Sequence, residues 1–92
     1  MRVIVDTAAW SDLNDIGGWI AKDDPQAARR VLRLILQTAA QLELFPRLAR
    51  RGRTPGTWER LVPGTPYIIV LELPENLPAI IVTAVVHGAR DR

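Results

Sequence analysis

The sequence predicts a single α+β domain over residues 1–92, in which an antiparallel β-meander carries an N-terminal helical hairpin on one face. Three observations predict this fold class. Apolar residues make up 48% of the chain, which is enough for a hydrophobic core. The first half contains two stretches with apolar residues at helical spacing. The second half contains three β-rich stretches separated by Pro/Gly turns, so the predicted order is β-α-α-β-β-β.

Residues 2–6 predict a short first strand, because valine and isoleucine are β-branched. Asp6 or Thr7 is expected to cap the helix that follows, since either side chain can accept a hydrogen bond from its first turn. The apolar stripe of this helix consists of Ala9, Leu13, Ile16 and Ile20. The glycine pair at 17–18 costs the helix roughly 1 kcal/mol per glycine relative to alanine. Either a close approach of another backbone or a local kink explains that cost.

A second helix is expected from Pro25 to Leu44. Asp24 suits its N-cap, and Pro25 suits the first helical position, where a missing N–H is no loss. The apolar face of this helix consists of Ala28, Val31, Leu32, Ile35, Ala39 and Leu42. Phe45-Pro46 ends it. The two helices and their tight turn predict an αα-hairpin with one apolar side to bury.

The second half is expected to form a loop followed by three strands. Composition assigns residues 46–57 to the loop. The strands are Trp58–Val62, Tyr67–Leu73 and Ala79–Val86, and their short connections predict an antiparallel meander. The near-continuous apolar run of the second strand predicts a central strand that is covered on both faces.

Composition excludes several kinds of chemistry. The chain has no cysteine and one histidine, so disulfides are impossible and a zinc or iron site is not expected. It contains no P-loop and no Gly-x-Gly-x-x-Gly motif, and Ser11, its only serine, has no nucleophile elbow around it. No apolar run approaches the roughly 20 residues of a membrane helix, and the N-terminus does not resemble a signal peptide. We therefore expect a cytoplasmic protein with no cofactor, no metal and no membrane partner.

Positive charge is concentrated in the middle of the chain. The net charge is only +2, yet all the basic residues except Lys22 are arginines. The middle group consists of Arg47, Arg50, Arg51, Arg53 and Arg60, opposed there only by Glu59. Such asymmetry indicates either an anionic partner or a solvated face. The stretch 47–53 has no aromatic residue for base stacking, so phosphates, an acidic protein surface and no partner at all remain open.

Arginine, tyrosine and histidine together can cleave RNA without a metal, through a base, an acid and stabilisation of the charged phosphate. The candidates are Arg60, Tyr67, His87 and Arg90. Each also has a structural interpretation. Arg60 suits a solvated strand position, Tyr67 suits the edge of the core, His87 suits hydrogen bonding to backbone, and Arg90 suits an unengaged tail.

A set of short motifs at this chain length resembles a known family. In order, these motifs are Asp6-Thr7-Ala8, Asp12-Leu13, Ile16, Trp19-Ile20-Ala21, Asp24-Pro25, Ala27-Ala28, Leu42 to Phe45-Pro46, Arg51-Gly52-Arg53, Pro55-Gly56-Thr57, Glu59-Arg60-Leu61-Val62, Pro66-Tyr67-Ile68-Ile69-Val70, Ile80-Ile81-Val82 and His87-Gly88-Ala89-Arg90. The ordered set is similar to the ParE/RelE toxin superfamily over nearly the whole chain, and the family fold agrees with the predicted order of elements.

The resemblance implies a toxin of a type II toxin–antitoxin system that is neutralised by a cognate antitoxin. Within the family, RelE-like members cut messenger RNA in the ribosome, whereas ParE-like members poison DNA gyrase. RelE-like sites are rich in lysine and arginine and have a C-terminal tyrosine; here Lys22 is the only lysine and Gly88 follows His87. We therefore favour a non-enzymatic, ParE-like gyrase inhibitor. The alternatives are a ribosome-dependent mRNA endoribonuclease that uses Arg60, His87 and Arg90, and a non-toxic binding module.

Two sets of surface residues are predicted to contact partners. The target-binding candidates are Arg50, Arg51, Arg53, Arg60 and Arg90. The antitoxin-binding candidates are Trp10, Leu13 and Trp19, because the two tryptophans flank the apolar stripe of the first helix. Small domains seldom leave apolar patches or open strand edges uncovered, so the antitoxin is expected along the helical hairpin or a sheet edge.

Overall fold

The computed structural model describes residues 1–90 and has two helices and five strands. The elements are β1 (Arg2–Val5), α1 (Thr7–Ala21), α2 (Pro25–Gln41), a 3₁₀ turn (Pro46–Leu48), β2 (Arg50–Arg51), β3 (Trp58–Leu61), β4 (Tyr67–Glu72) and β5 (Ala79–His87). This architecture confirms the predicted α+β class and order, with one short strand added before the meander.

The strands form one mixed sheet in the order β1-β5-β4-β3-β2. Strands β3, β4 and β5 are the predicted antiparallel meander. Strand β1 runs parallel to β5, with Val3 opposite Ile80 and Val5 opposite Val82. The first strand of the chain therefore lies against the last one, on the far side of the sheet from β2.

Both helices begin where the capping residues predict. The Asp6 carboxylate accepts a hydrogen bond from Ala9 N at 2.9 Å, and the Asp24 carboxylate accepts one from Ala27 N at 3.0 Å. Helix α2 ends at Gln41, earlier than predicted, and residues 42–44 form a turn. The N–H groups in that turn donate to carbonyls three residues back, which satisfies part of the helix end.

The glycine pair in α1 is explained at one position and not at the other. Gly17 is buried where α1 crosses α2, and a Cβ there would lie 2.9 Å from Leu32 Cδ1. The close approach of the two helices therefore accounts for Gly17. Gly18 is exposed, a Cβ there would have nothing within 4 Å, and nothing in the structure explains it.

The core lies between the helical hairpin and one face of the sheet. Along β4, Tyr67, Ile69 and Leu71 are buried and face the helices, while Ile68 and Val70 alternate with them and are half-buried. Strand β4 is the middle strand, as predicted. It is covered by helices on one face only, so the prediction of cover on both faces was wrong.

The segment predicted as loop over residues 46–57 contains the 3₁₀ turn and strand β2. Strand β2 pairs antiparallel with β3, placing Arg50 opposite Glu59 and Arg51 opposite Trp58. Two consecutive arginines carry no alternating pattern, so nothing local predicts this strand. It forms because β3 offers an open edge, and a pair of opposite charges lies across the two strands.

Candidate partner and target surfaces

Three of the five arginines predicted to bind a target lie together at the β2 edge of the sheet. Arg50 and Arg51 are on β2, Arg53 follows in the connection to β3, and all three are exposed. The Arg51 guanidinium lies over the Trp58 ring, 5.9 Å from its centroid. The Glu59 carboxylate accepts a hydrogen bond from the Arg53 backbone N at 3.1 Å. We call residues 51–58 the arginine loop.

The arginine loop has a defined shape because its backbone bonds to itself. Gly52 N donates to Thr57 O at 2.8 Å, and Thr57 N donates to Thr54 O at 3.1 Å. Gly56 has a φ of +85°, which favours glycine. The loop encloses an open concavity of about 340 Å³, lined by all eight of its residues.

Arg60 lies outside the arginine loop, two positions after Trp58 on β3. Its register partner is Ile69, so its side chain starts on the helix-covered face of the sheet, the same face as Trp58 and its partner Arg51. The residue is half-buried, and its Nε atom is buried without a hydrogen-bond partner. Arg60 is therefore not the fully solvated strand residue of the structural interpretation.

Arg90 belongs to a second cluster, formed by α1, β4, the end of β5 and the residues after it. Its guanidinium lies 5.8 Å from the centroid of the Trp19 ring, and Lys22 Nζ lies 5.3 Å from the same ring. The Tyr67 and His87 rings meet edge to face, with centroids 5.5 Å apart. We call Trp19, Tyr67, His87 and Arg90 the Trp19 cluster.

The Trp19 cluster borders an open concavity of about 300 Å³. Its lining residues are Asp15, Ile16, Trp19, Tyr67 and Arg90. Trp19 is 60% exposed, whereas Tyr67 is buried at the base of the site. An exposed aromatic ring beside two cations is typical of a protein-binding surface.

His87 has the structural role that its position suggested. Its Nδ1 atom accepts hydrogen bonds from Ala89 N at 3.2 Å and from Arg90 N at 3.3 Å. An Nδ1 that accepts places the proton of the neutral ring on Nε2. The histidine thereby holds the turn that carries Arg90.

The three ribonuclease candidates are on different elements. Arg60 is on β3 and His87 ends β5, so β4 separates them, although the register places both on the helix-covered face. Arg90 follows β5 and lies against Trp19.

The predicted antitoxin-binding set divides by exposure. Trp10 and Trp19 are 50% and 60% exposed, so both are available to a partner. Leu13 is buried in the core, and its side chain is therefore not on the surface offered to a partner. Leu44 and Phe45 were not predicted, yet both are exposed in the segment after α2.

Sequence reasoning missed the contact between Trp19 and Arg90, which it had assigned to separate partners. The two residues are 71 positions apart, and only the sheet topology brings them together. The sequence analysis also did not predict which side chains lie beside the guanidinium groups of Arg51 and Arg90. The spacing of Trp19 and Lys22 along α1 predicts that they are neighbours on a helix surface, whereas no local signal pairs Arg51 with Trp58.

Residues 1–90 offer neither a cluster of metal ligands nor a membrane-spanning helix. In this part of the chain, no group of three or more acidic or histidine side chains is placed to hold a metal ion. No helix in it combines the length and the apolar character needed to cross a membrane.

The sequence comparison identifies the family. The model of the ParE toxin of type II toxin–antitoxin systems, parDE, matches residues 3–92. The chain belongs to the ParE toxin family. A protein named "Putative toxin Y4kP" from Sinorhizobium fredii is 42% identical to this ParE-family chain over 57 residues, which is 62% of the chain and 59% of that relative. The chain thus spans about three-fifths of the length of the curated relative it matches.

Two solved structures share the fold. A chain from the chromosomal ParDE toxin–antitoxin system of P. aeruginosa superposes with a TM-score of 0.82 at 16% identity, over 95% of both chains. A chain from the RelBE2 toxin–antitoxin complex of Mycobacterium tuberculosis gives a TM-score of 0.68 at 23% identity, over 94% of this chain and 95% of that one. At these identities, both likenesses concern the fold.

Proposed function

We propose that this ParE-family toxin inhibits DNA gyrase in the cytoplasm and is neutralised by a cognate antitoxin. The observation that carries the gyrase proposal is that two of the ribonuclease candidates, His87 and Arg90, already make other contacts within the protein. His87 Nδ1 bonds to backbone, and Arg90 lies against Trp19. General acid–base cleavage needs an acid and a base that both reach the phosphate, whereas Tyr67 is buried and His87 Nδ1 is occupied by backbone N–H groups. The Trp19 cluster instead offers an exposed aromatic ring and cations to a macromolecule.

The test is a supercoiling assay with purified gyrase and a matched pair of variants. The wild-type toxin should inhibit supercoiling and accumulate cleaved gyrase–DNA complexes. Arg90→Gln should raise the toxin concentration needed by about tenfold, as expected for an arginine at an interface hot spot. Arg33→Gln, an exposed arginine on α2, should leave it unchanged. Normal supercoiling at high toxin excess would reject the proposal, and unaffected growth on expression would favour a non-toxic binding module.

One observation favours the alternative, a ribosome-dependent mRNA endoribonuclease. Arg60 and His87 lie on the same face of the sheet, and the buried Arg60 Nε is a donor without a partner. In that case His87→Ala and Arg90→Ala should each lower the cleavage rate roughly 100-fold. Messenger RNA that stays intact during toxic expression removes this alternative.

The antitoxin part of the proposal rests on exposed apolar surface. Trp10 and Trp19 are both at least half exposed on α1, and Leu44 and Phe45 are exposed after α2. Covering such side chains is favourable by about 25 cal/mol per Å² of apolar area. We expect antitoxin binding to slow hydrogen exchange along the helical hairpin or a sheet edge. Unchanged exchange in both regions would contradict this docking.

A further inference from the structure

The arginine loop and the residues just before it present a concentration of positive charge. Arg51 and Arg53 are exposed in the loop, Arg47 and Arg50 are exposed just before it, and Glu59 lies beside them on β3. The Glu59 carboxylate accepts from the Arg53 backbone N, so it helps to hold the loop in place. The local charge is therefore strongly positive on a chain whose net charge is only +2.

The shape of the loop is set before any ligand binds. Its hydrogen bonds from Gly52 N to Thr57 O and from Thr57 Oγ1 to Thr54 O close the turn. A Cβ at Gly52 would clash with Thr57, so the two strands of the loop approach as closely as glycine allows. A preformed loop loses little conformational entropy on binding.

Arg51 is oriented by Trp58. The guanidinium lies over the indole ring, which is half-buried and packs on the core. At 5.9 Å from the ring centroid, this cation–π contact leaves the guanidinium N–H groups available to oxygen acceptors. Arg53 lines the same concavity two residues further along the arm that carries Arg51.

We propose that the arginine loop is a binding site for the phosphate backbone of double-stranded DNA. Planar guanidinium groups pair with two phosphate oxygens at once, and contacts of this kind position a protein on DNA without reading its sequence. Gly56, where a Cβ would meet open space, adds no side chain to the wall of the 340 Å³ concavity, which lets a bulky strand approach the backbone. In the proposed function, this site would hold the toxin on the DNA that gyrase carries; that link rests on the proposed function, whereas DNA binding itself does not.

The loop favours a nucleic acid over an acidic protein segment because it lacks an exposed apolar anchor. Protein interfaces centre on desolvated apolar or aromatic side chains, whereas DNA interfaces are more polar and much more positively charged. The aromatic residue of the loop, Trp58, lies beneath Arg51 and against the core. The exposed tryptophans are both on α1.

A second group of exposed arginines provides a matched control. Arg29, Arg30 and Arg33 lie on one surface of α2, near the acidic pair Asp23 and Asp24. Those carboxylates offset part of the α2 charge. Binding driven by net charge alone would weaken equally when arginines are removed from either group. Binding at the arginine loop would weaken only when the arginines of the loop are replaced.

The experiment measures binding of the toxin to a fluorescent 20-base-pair duplex by anisotropy, over a range of salt concentrations and without gyrase. We expect Arg51→Gln/Arg53→Gln to weaken binding about tenfold and to reduce the slope of log K against log salt by about 2, since each phosphate contact contributes about 0.9. Arg29→Gln/Arg30→Gln should change the affinity less than twofold. Arg53→Gln alone, which leaves the Arg51–Trp58 pair intact, should give about half of the change in slope.

Several outcomes would overturn the proposal. These are no duplex binding at 50 mM salt, equal losses in the loop and α2 variants, or tighter binding of single-stranded RNA or polyglutamate than of the duplex. The supercoiling assay separates this proposal from the proposed function. A toxin that inhibits gyrase but binds no DNA overturns the loop site alone, and one that binds DNA but leaves gyrase active overturns the gyrase proposal alone.

Discussion

The two edges of the sheet are protected in different ways. At the β1 edge, the chain bonds to itself: Val3 N donates to the Glu43 carboxylate at 3.3 Å, and Met1 N donates to Glu43 O at 2.8 Å. At the other edge, β2 is two residues long and consists of Arg50 and Arg51. Short length and charge both discourage a strand from another chain from adding to the sheet.

The β1 edge is tied to the rest of the fold, whereas the β2 edge is held mainly by its pairing with β3. Glu43 links the turn after α2 to β1, so disturbing that edge disturbs how the hairpin meets the sheet. The arginines of β2 contribute little to the core, because both are exposed. The positive charges that discourage strand addition at the β2 edge can also attract an anionic partner.

The largest expected effect comes from the glycine beside β2. Gly52→Val should lower the free energy of unfolding by about 2 kcal/mol, because its Cβ would clash with Thr57 and open the loop. Gly18→Ala is the control, since a Cβ there meets open space and should stabilise α1 by up to about 1 kcal/mol. Urea unfolding measures both. A neutral Gly52→Val would show that the β2 edge is not held by this close approach.

An intermediate effect is expected at the β1 edge. Glu43→Ala removes the side-chain acceptor of Val3 N and should cost about 1 kcal/mol. Hydrogen exchange at the Val3 amide should become faster in the same variant. Glu75→Ala, in an exposed turn, is the matched control and should change neither quantity. Equal behaviour of the two variants would mean that Glu43 does not protect this edge.

The smallest effect on stability is expected at Arg50. Arg50→Thr should change the free energy of unfolding by less than about 0.5 kcal/mol, as is usual for an exposed side chain. It should nevertheless increase self-association at high protein concentration, because the edge loses one of its two charges. Sedimentation equilibrium measures this, with Arg33→Thr on α2 for comparison. If the Arg50→Thr variant stays monomeric, Arg50 does not protect this edge against self-association.

Local signals predicted the helices and the meander well. Asp6 or Thr7 was expected to cap α1 and Asp24 to cap α2. The caps are Asp6 and Asp24, and they were predictable because capping depends on residues only three positions apart. The β1–β5 pairing and strand β2 could not be predicted in this way. Each exists only because another part of the chain offers a free edge, and the sequence of Arg50 and Arg51 has no strand pattern of its own.

Local sequence signals also predicted only part of the candidate sites. Trp10 and Trp19 were expected beside the apolar stripe of α1, and both are exposed. Leu13 was assigned both to that stripe and to the antitoxin contact, and the structure places it in the core. The charged stretch around Arg50 was evident from composition. Its pairing with Trp58, and the meeting of Trp19 with Arg90, depend on the sheet topology.

The parallel pairing of β1 with β5 has a consequence for synthesis on the ribosome. Arg2 finds its partner at Ala79, so the first strand is made long before the strand that it joins. At about 5–20 residues per second, the wait is roughly 4–15 seconds. During that interval the nascent chain has no completed sheet, and a surface that depends on the residues after β5 cannot yet exist. The topology therefore makes the Trp19 cluster, which includes Arg90, one of the last parts of the molecule to form.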